Sequence, residues 1–299
     1  MTLLLVRERA AFEEYTQPLR EPARQCTQDF QEGLETKSWG RLEPAKQAVA
    51  RYLEYLRWPT RRMEYSFVMR ALERHAKRQV ISRVLDVGSG PSPFPAILSA
   101  AFRCPVWCVD RDPEVVEAIR VLAPPGCTYE VSDMSSLPFG ERSFDVVTCV
   151  SVLEHVARSE GIKAIAEMLR VVKENGVVII TVDYCSLATG WRLVKWLSRG
   201  VAAAKRLATG RVKTLVVEAG APRAYNWIQL RALYDRYGEQ MVDGLDEGMA
   251  RLSLRGIRSF WREHWEPGFS YDRRRGRDYT SVGLLIAPDP QVRAALRSL

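Results

Sequence analysis

Short β-branched runs alternate with stretches of helical pattern between residues 83 and 183. Helices are predicted at 93–101, 113–121 and 159–172, each starting with proline or serine, and Asn175-Gly176 is a turn signal. The strand candidates before, between and after them are RVLDVG (83–88), VWCVD (106–110), TYEVSD (128–133), FDVVTCV (144–150) and GVVIITVD (176–183). This alternation predicts βαβ units in a doubly wound parallel sheet, whose ligands bind at the carboxyl ends of the strands.

The regions on either side have a different character. Residues 1–78 carry apolar positions at helical spacing and no strong strand signal, so we interpret them as a helical N-terminal extension. Residues 79–290 are predicted to form the main domain, with 184–217 as an inserted lid. After residue 217 we expect a helix at 226–237, a strand near 241–245 and a late strand in YTSVGLLIAP (279–288).

Positive charge is concentrated in the insertion. Residues 184–217 contain no Asp or Glu but hold seven of the basic residues, which account for nearly all of the net charge of +8. On a helical wheel, residues 187–208 separate a basic face from an apolar face, which favours either an interfacial helix on an anionic membrane surface or a lid whose apolar face packs on the core. A basic surface typical of general nucleic-acid binding is not indicated, so nucleic acid is disfavoured as a partner.

The cysteines and histidines indicate which cellular compartment and which metal sites the chain is suited to. The six cysteines are scattered without C-x-x-C spacing, and the three histidines lie far apart, so neither a disulfide framework nor a zinc site is predicted. The first residues lack the apolar core of a signal peptide, and no stretch approaches the roughly 20 apolar residues of a membrane span. We therefore expect a cytoplasmic protein, with peripheral membrane contact as an alternative through 187–208.

The stretch VLDVGSGPSPFP (84–95) carries the strongest ligand signal. Gly88 and Gly90 fit the start of a dinucleotide fingerprint, but Pro93 stands where its third glycine belongs, and no Lys-Ser or Lys-Thr follows as in a Walker loop. Asp86 lies before the glycines, where a carboxylate would repel a pyrophosphate. The loop therefore favours a ligand that carries positive charge.

Two further acids follow the next strands. Asp110 closes VWCVD, twenty residues after Gly90, where a carboxylate can accept hydrogen bonds from ribose hydroxyls. Asp133 closes TYEVSD, where its oxygen can accept from an adenine amino group. Either acid alone would be read as a turn residue, but three acids at three successive strand ends indicate a nucleoside site.

These motifs together resemble a class I S-adenosylmethionine-dependent methyltransferase of the methyltransferase type 11 kind, which acts on small molecules. The matching stretches are VLDVGSG (84–90), VD (109–110), SDMSSLPFGERSFDVVTCVSVLEHV (132–156) and LRVVKENGVVIITV (169–182), and 279–288 resembles the family's final antiparallel strand. The resemblance implies a Rossmann-like, seven-stranded, mostly parallel sheet. It also implies S-adenosylmethionine as cofactor.

The same resemblance implies the cofactor contacts. The loop residues would line the methionine part, the residues after the second and third strands would hold ribose and adenine, and the end of the fourth strand would run beneath the sulfonium. Ser92 replaces a third glycine that is common in the family. The predicted cofactor-binding residues are Asp86, Gly88, Ser89, Gly90, Asp110, Arg111, Asp133, Met134, Val150 and Ser151.

Methyl transfer from a sulfonium is an in-line displacement, so it needs a base only when the acceptor atom carries a proton at working pH. His155, just after the fourth strand, is the catalytic candidate, and packing or capping of the following helix is the alternative reading. Tyr65, Tyr184 and His264 are weaker substrate candidates, each with a structural alternative.

Two departures limit the substrate class. Related ubiquinone-pathway O-methyltransferases carry a metal-binding E-x-x-E-H pattern, but Ser151 stands at its first position here, so no metal is predicted. CVSV at 149–152 also differs from the [D/N]-P-P-[Y/F] signature of nucleic-acid amine methyltransferases. We expect a methyltransferase acting on oxygen, nitrogen or carbon of a small, hydrophobic acceptor. A protein or RNA methyltransferase using its basic segments and a non-catalytic module that binds a membrane or a partner stay as alternatives, and the oligomeric state stays open.

Overall fold

The computed structural model describes residues 1–5, 8–184, 224–245, 249, 256, 259–260, 263–264 and 280–297. In these residues seven strands form one sheet. Their spatial order is β4 (Cys127–Val131), β3 (Val106–Asp110), β2 (Val84–Val87), β5 (Phe144–Val150), β6 (Val172–Tyr184), β7 (Thr280–Ile286) and β1 (Thr2–Leu4). The predicted Rossmann-like sheet, mostly parallel with an antiparallel late strand, is confirmed. The predicted lid, 184–217, lies outside the described residues apart from Tyr184, as do the amphipathic stretch 187–208 and the arginines of 273–277.

Five parallel strands form the centre of the sheet. They are β2 (Val84–Val87), β3 (Val106–Asp110), β4 (Cys127–Val131), β5 (Phe144–Val150) and β6 (Val172–Tyr184). Helices α4 (Phe94–Phe102), α5 (Pro113–Leu122) and α6 (Arg158–Val171) connect them. Strand β2 is buried throughout and β5 is buried except at its last residue, Val150, as expected for largely apolar strands covered on both faces. All eight elements lie within a few residues of the predicted positions.

The start of β6 contains a bulge, at the place where Asn175-Gly176 predicts a turn. Phe144 pairs with Val172, but Val146 pairs with Val177, so the residues between Val172 and Val177 bulge out of the ladder. A Cβ on Gly176 would lie 2.6 Å from the carbonyl oxygen of Asp145. Glycine is therefore required here by the close approach of the neighbouring strand.

One edge of the sheet differs from the prediction. The late strand β7 (Thr280–Ile286) is antiparallel to β6, but its other side pairs with β1 (Thr2–Leu4), in a region predicted to contain no strand. The predicted strand near 241–245 is reduced to a single bridge between Met241 and Ile286. The amino group of Met1 donates to the carbonyl oxygen of Gly244 at 2.7 Å, so the two short segments meet along the same edge.

Three helices precede the central strands, in agreement with the predicted helical extension. They are α1 (Arg9–Thr36), α2 (Glu43–Tyr55) and α3 (Pro59–Ala76). Helix α3 packs directly on the sheet, because a Cβ on Gly283 of β7 would lie 2.4 Å from the ring of Phe67. The domain boundary at residues 78 and 79 stays a prediction.

The remaining described elements lie late in the chain. Helix α7 (Trp227–Tyr237) follows the predicted bounds, and its start is capped by Asn226, whose side chain accepts from the backbone N–H of Gln229. Helix α8 (Pro290–Leu296) follows β7. Among the described helices, none combines the length and the apolar character needed to cross a membrane.

Candidate active site

The glycine loop after β2 has a backbone that only glycine adopts readily. Gly88 and Gly90 have φ of 73° and 52°, in the left-handed region that carries a steric cost for side chains. A Cβ on Gly88 would lie 2.6 Å from both methyl groups of Val152, and one on Gly90 would lie 3.4 Å from the hydroxyl of Tyr52. The loop is therefore bordered by the turn after β5 and by helix α2.

Asp86 lies at the base of this loop and is buried. Its Oδ1 accepts a hydrogen bond from the hydroxyl of Thr148 on the neighbouring strand at 2.6 Å. Burial, and to a smaller extent the charge of Asp110, raise the pKa of Asp86 to about 7. A carboxyl group held in this state gains from a cationic partner, which agrees with the predicted ligand charge.

Asp110 joins the end of β3 to the glycine loop. Its Oδ2 accepts from the backbone N–H of Gly90 at 2.9 Å, and its Oδ1 accepts from the N–H of Asp112 at 3.0 Å. Each carboxylate oxygen has two lone pairs, so both keep capacity for a ligand hydroxyl. Ser89, which lies between the two glycines in sequence, is buried, and its hydroxyl has no hydrogen-bond partner among the described residues. Arg111 is exposed.

The third acid has a local partner. Asp133 is exposed, and its Oδ1 accepts from the N–H of Ser135 at 2.7 Å and from the Ser135 hydroxyl at 2.8 Å. These hydrogen bonds lower the pKa of Asp133. Met134 is partly buried against the core. The structure thus gives Asp133 the turn geometry of the alternative reading, and its adenine contact stays a prediction.

Helix α3 contacts the end of the glycine loop through Tyr65. The ring of Tyr65 stacks on Phe94 with centroids 4.1 Å apart, and its hydroxyl is hydrogen-bonded to that of Ser92 at 3.0 Å. The Ser92 hydroxyl in turn accepts from the N–H of Phe94, so it caps α4 one residue ahead of the formal N-cap, Pro93. Burial raises the pKa of Tyr65 to about 12, so the phenol stays neutral.

The same helix places an ion pair at the ends of β5 and β6, which sequence reasoning missed. Oε1 of buried Glu64 accepts from the hydroxyls of Ser151 at 2.6 Å and Thr181 at 2.8 Å. Its Oε2 pairs with Arg61 at 2.8 Å. Ser151, which follows Val150 at the end of β5, has φ of 52°. One available signal was the charged pair at i and i+3 within the largely apolar stretch RRMEYSFVM (61–69).

Two more carboxyl groups lie next to this ion pair. Oε1 of Glu154 accepts from the backbone N–H of Asp183 at 3.2 Å, and its Oε2 is buried without a hydrogen-bond partner in the described part of the chain. Burial raises the pKa of Glu154 to about 7 and that of Asp183 well above its ordinary value; the charge of Glu64 adds to both rises, and the charge of Glu154 adds to that of Asp183. We call Glu64, Glu154 and Asp183 the carboxyl cluster.

The catalytic candidate His155 ends the short 3₁₀ helix Leu153–His155 and is exposed. Neighbouring groups nevertheless remove part of the water around the ring. This desolvation, and to a smaller extent the positive charge of Arg61, lower the pKa of His155. The imidazole is therefore largely neutral at pH 7, as the base hypothesis requires. Its catalytic role stays a prediction.

The other substrate candidates are engaged in packing. Tyr184 ends β6, and its buried hydroxyl donates to the carbonyl oxygen of Met249 at 2.7 Å. His264 stacks on Phe12 of α1 with centroids 4.2 Å apart and lies 4.9 Å from the ring of Phe260. Their substrate roles stay predictions. In the described part of the chain, no three Asp, Glu, Cys or His side chains are arranged to hold a metal ion.

Comparison with known families shows which proteins this part of the chain resembles. Residues 85–180 match the family model described as a methyltransferase domain. This segment is therefore similar to a methyltransferase domain. The match begins within β2 and ends within β6, so it contains the glycine loop and the three acids Asp86, Asp110 and Asp133. The predicted resemblance to class I methyltransferases is thereby confirmed for this segment.

Two curated relatives are similar to part of the chain. The tRNA (carboxymethyluridine(34)-5-O)-methyltransferase of Arabidopsis thaliana is 30% identical over 116 residues, which cover 38% of this chain and 27% of that protein. The uncharacterized methyltransferase YcgJ of Bacillus subtilis is 30% identical over 106 residues, which cover 34% and 41%. The chain thus spans less than half the length of either relative.

Solved structures are similar over a larger share of the chain at lower identity. Geranyl diphosphate C-methyltransferase from Streptomyces coelicolor is 14% identical with a TM-score of 0.48, over 76% of this chain and 80% of that one. The YcgJ protein of Bacillus subtilis is 16% identical with a TM-score of 0.42, over 73% and 97%.

Proposed function

We propose that the chain is an S-adenosylmethionine-dependent methyltransferase that transfers a methyl group to a small organic acceptor. The observation that carries the proposal is the hydrogen bond between the Gly90 N–H and Asp110, which joins a left-handed glycine loop to an acid at the next strand end. Together with the family of residues 85–180, this arrangement supports a nucleoside ligand at the carboxyl ends of β2 and β3.

The residues at this edge fit a cationic nucleoside. Asp110 has lone pairs that can accept from ligand hydroxyls, and the hydroxyl of Ser89 is buried without a partner within the residues that the structure describes. Asp86 supplies a buried carboxyl group beneath the loop, and no basic side chain hydrogen-bonds to it in the described structure. S-adenosylmethionine would supply a methyl group on a positively charged sulfur that leaves as a neutral thioether.

The chain's own task would then be to orient the acceptor and to exclude water. Helices α2 and α3 support this role, because Tyr52 borders Gly90 and Tyr65 packs on the end of the glycine loop. Ser151 and the carboxyl cluster are buried beneath α3. This cover supports a small acceptor, since a polymer requires an open groove beside the reacting atoms.

Isothermal titration calorimetry tests the proposal. We expect wild-type protein to bind S-adenosylmethionine and S-adenosylhomocysteine and not NAD⁺. Asp110→Ala removes an acceptor of charge-assisted hydrogen bonds, so both affinities should fall about 10- to 100-fold. Asp235→Ala, which removes an exposed carboxylate paired with Arg231, is the matched control. Absence of nucleoside binding by the wild type, or unchanged affinity in Asp110→Ala, would refute the proposal.

RNA is the second candidate acceptor. The Arabidopsis relative is named as a tRNA methyltransferase, and the net charge of +8 would favour a polyanion. Filter binding of bulk tRNA at about 50 and 200 mM salt distinguishes an RNA acceptor from a small-molecule acceptor. An RNA enzyme should lose orders of magnitude in affinity over that range, whereas a small-molecule enzyme should bind tRNA weakly at both.

A further inference from the structure

The carboxyl cluster gathers three acidic side chains from three separate elements. Glu64 reaches in from α3, Glu154 from the turn after β5, and Asp183 lies one residue before the end of β6. None of the three residues is more than 4% exposed. The cluster therefore lies at the carboxyl ends of the parallel strands, shielded from solvent by the extension.

The charges in this cluster are not balanced. Within the described residues, Arg61 is the cation whose positive charge acts on all three groups, and it already pairs with Glu64 at 2.8 Å. A buried charge without a partner is costly, so the other two carboxyl groups must hold protons or meet a cationic ligand. Burial raises the pKa of both, which agrees with the first state when no cation is bound.

An unpartnered atom points to the second state. Oε2 of Glu154 is buried and makes no hydrogen bond with the described residues, although Oε1 of the same side chain accepts one. The turn that carries Glu154 also borders the glycine loop, because Val152 contacts the position that a Gly88 side chain would fill. The hydroxyl of Ser89 in that loop is likewise buried and unpartnered. The turn after β5 and the glycine loop, which are neighbours, thus each contain a buried polar atom that makes no hydrogen bond with the described residues.

We propose that the carboxyl cluster is the subsite for the positively charged sulfur of S-adenosylmethionine, and that Glu154 releases a proton when that charge enters. This inference rests on the proposed function. S-adenosylhomocysteine carries a neutral thioether at the same place, so its binding leaves the proton on Glu154. The subsite therefore favours the methyl donor over the demethylated product, and Glu154 regains its proton from solvent once the charge has left.

The groups that face Glu154 limit the source of this proton. They are Arg61 and Glu64 from α3, Cys149 from β5, Asp183 from β6 and Tyr225 from the segment before α7. Burial raises the pKa of the Cys149 thiol and of the Tyr225 phenol above their ordinary values, so both stay neutral near pH 7. Proton exchange at neutral pH is therefore confined to the acids.

Calorimetry in two buffers measures the exchange directly. Each nucleoside is titrated into wild-type protein at pH 7 in phosphate and in Tris, and the difference in apparent enthalpy gives the protons released. We expect S-adenosylmethionine to release more protons than S-adenosylhomocysteine. Asp86 and other groups that face parts common to both ligands contribute equally and cancel. The affinity ratio of donor to product should rise about tenfold between pH 6 and pH 8.

Three variants assign the proton. Glu154→Gln keeps the shape of the side chain but cannot ionise, so the excess proton release and the pH dependence of the affinity ratio should both disappear. Asp183→Asn tests the partner carboxyl group independently should Glu154→Gln fold poorly. Glu174→Gln, which removes a 75% exposed carboxylate at the opposite end of β6, is the control and should match the wild type.

The outcomes separate this inference from the proposed function. Equal proton release by the two nucleosides in the wild type overturns the subsite and leaves the proposed function standing. The same conclusion follows if the excess persists in both Glu154→Gln and Asp183→Asn. Failure of the wild type to bind either nucleoside overturns the proposed function, and the subsite with it.

Discussion

The carboxylate of Glu64 accepts a hydrogen bond from the hydroxyl of Ser151 at 2.6 Å, across 87 residues of sequence. The backbone of Ser151 is in the left-handed region, which residues other than glycine adopt only at a cost in free energy. The hydroxyl of Thr181 donates to the same oxygen, so one helix fixes the ends of two strands. Helix α3 therefore completes the region at the ends of β5 and β6.

Truncation of Glu64 should destabilise the fold strongly. Glu64→Ala leaves Arg61 without its buried partner and removes the acceptor of two hydroxyls, so we expect a loss of about 3–5 kcal/mol in the free energy of unfolding. Urea denaturation followed by far-UV circular dichroism measures it. Glu21→Ala, which breaks an exposed ion pair with Arg24, should change stability by less than about 1 kcal/mol. Similar losses in the two variants would contradict the role given to Glu64.

A side chain at the first glycine of the loop should be costly for two reasons. Gly88→Ala forces a residue with a Cβ to φ of 73° and places that Cβ 2.6 Å from Val152. We expect a loss of about 1–3 kcal/mol of stability, together with weaker binding of S-adenosylhomocysteine. Gly244→Ala is the control, because its Cβ would meet no atom within 4 Å. Wild-type stability and affinity in Gly88→Ala would show that the loop tolerates a side chain.

The central sheet could be predicted because its signals are local. The apolar runs of β2 and β5 are too continuous to face water, and the proline and serine residues between the strands mark helix starts. The three residues of β1 have no such pattern, and their pairing depends on the free side of β7, more than 270 residues later. An edge strand of this kind is decided by tertiary packing, so the sequence does not show it.

The same distinction separates the two halves of the candidate site. Gly88, Gly90 and Asp110 could be predicted because a strand, its turn and the next strand end fix them locally. Glu64 could not, because its contact with Ser151 depends on how α3 lies across the sheet. The sequence predicts a role for Tyr65 in that helix, and the structure also places its neighbour, Glu64, at the strand ends.

Removal of the Tyr65 hydroxyl should separate packing from ligand contact. Tyr65→Phe keeps the stack on Phe94 and loses the hydrogen bond to Ser92, which should lower stability by about 1 kcal/mol and leave the affinity for S-adenosylhomocysteine unchanged. Thermal unfolding and calorimetry measure the two effects. Tyr234→Phe, at a partly buried position on α7, is the control. A loss of affinity larger than the loss of stability would show that Tyr65 also contacts the ligand.

The buried acids should make the protein less stable as pH rises through neutrality. Burial raises the pKa of Asp86 from its ordinary value of 3.8 to about 7, so between these values the folded state binds more protons than the unfolded state. Stability present below pH 3.8 is therefore lost as pH rises through about 7, at up to about 1.4 kcal/mol per pH unit for one full proton. Asp86→Asn keeps an acceptor for Thr148 but cannot ionise, so its stability should fall less steeply between pH 5 and pH 8, roughly the range of that titration. Urea denaturation at several pH values gives the slope of the free energy of unfolding against pH. Glu174→Gln, at an exposed carboxylate, is the control. Equal slopes in Asp86→Asn and wild type would mean that Asp86 does not titrate in this range.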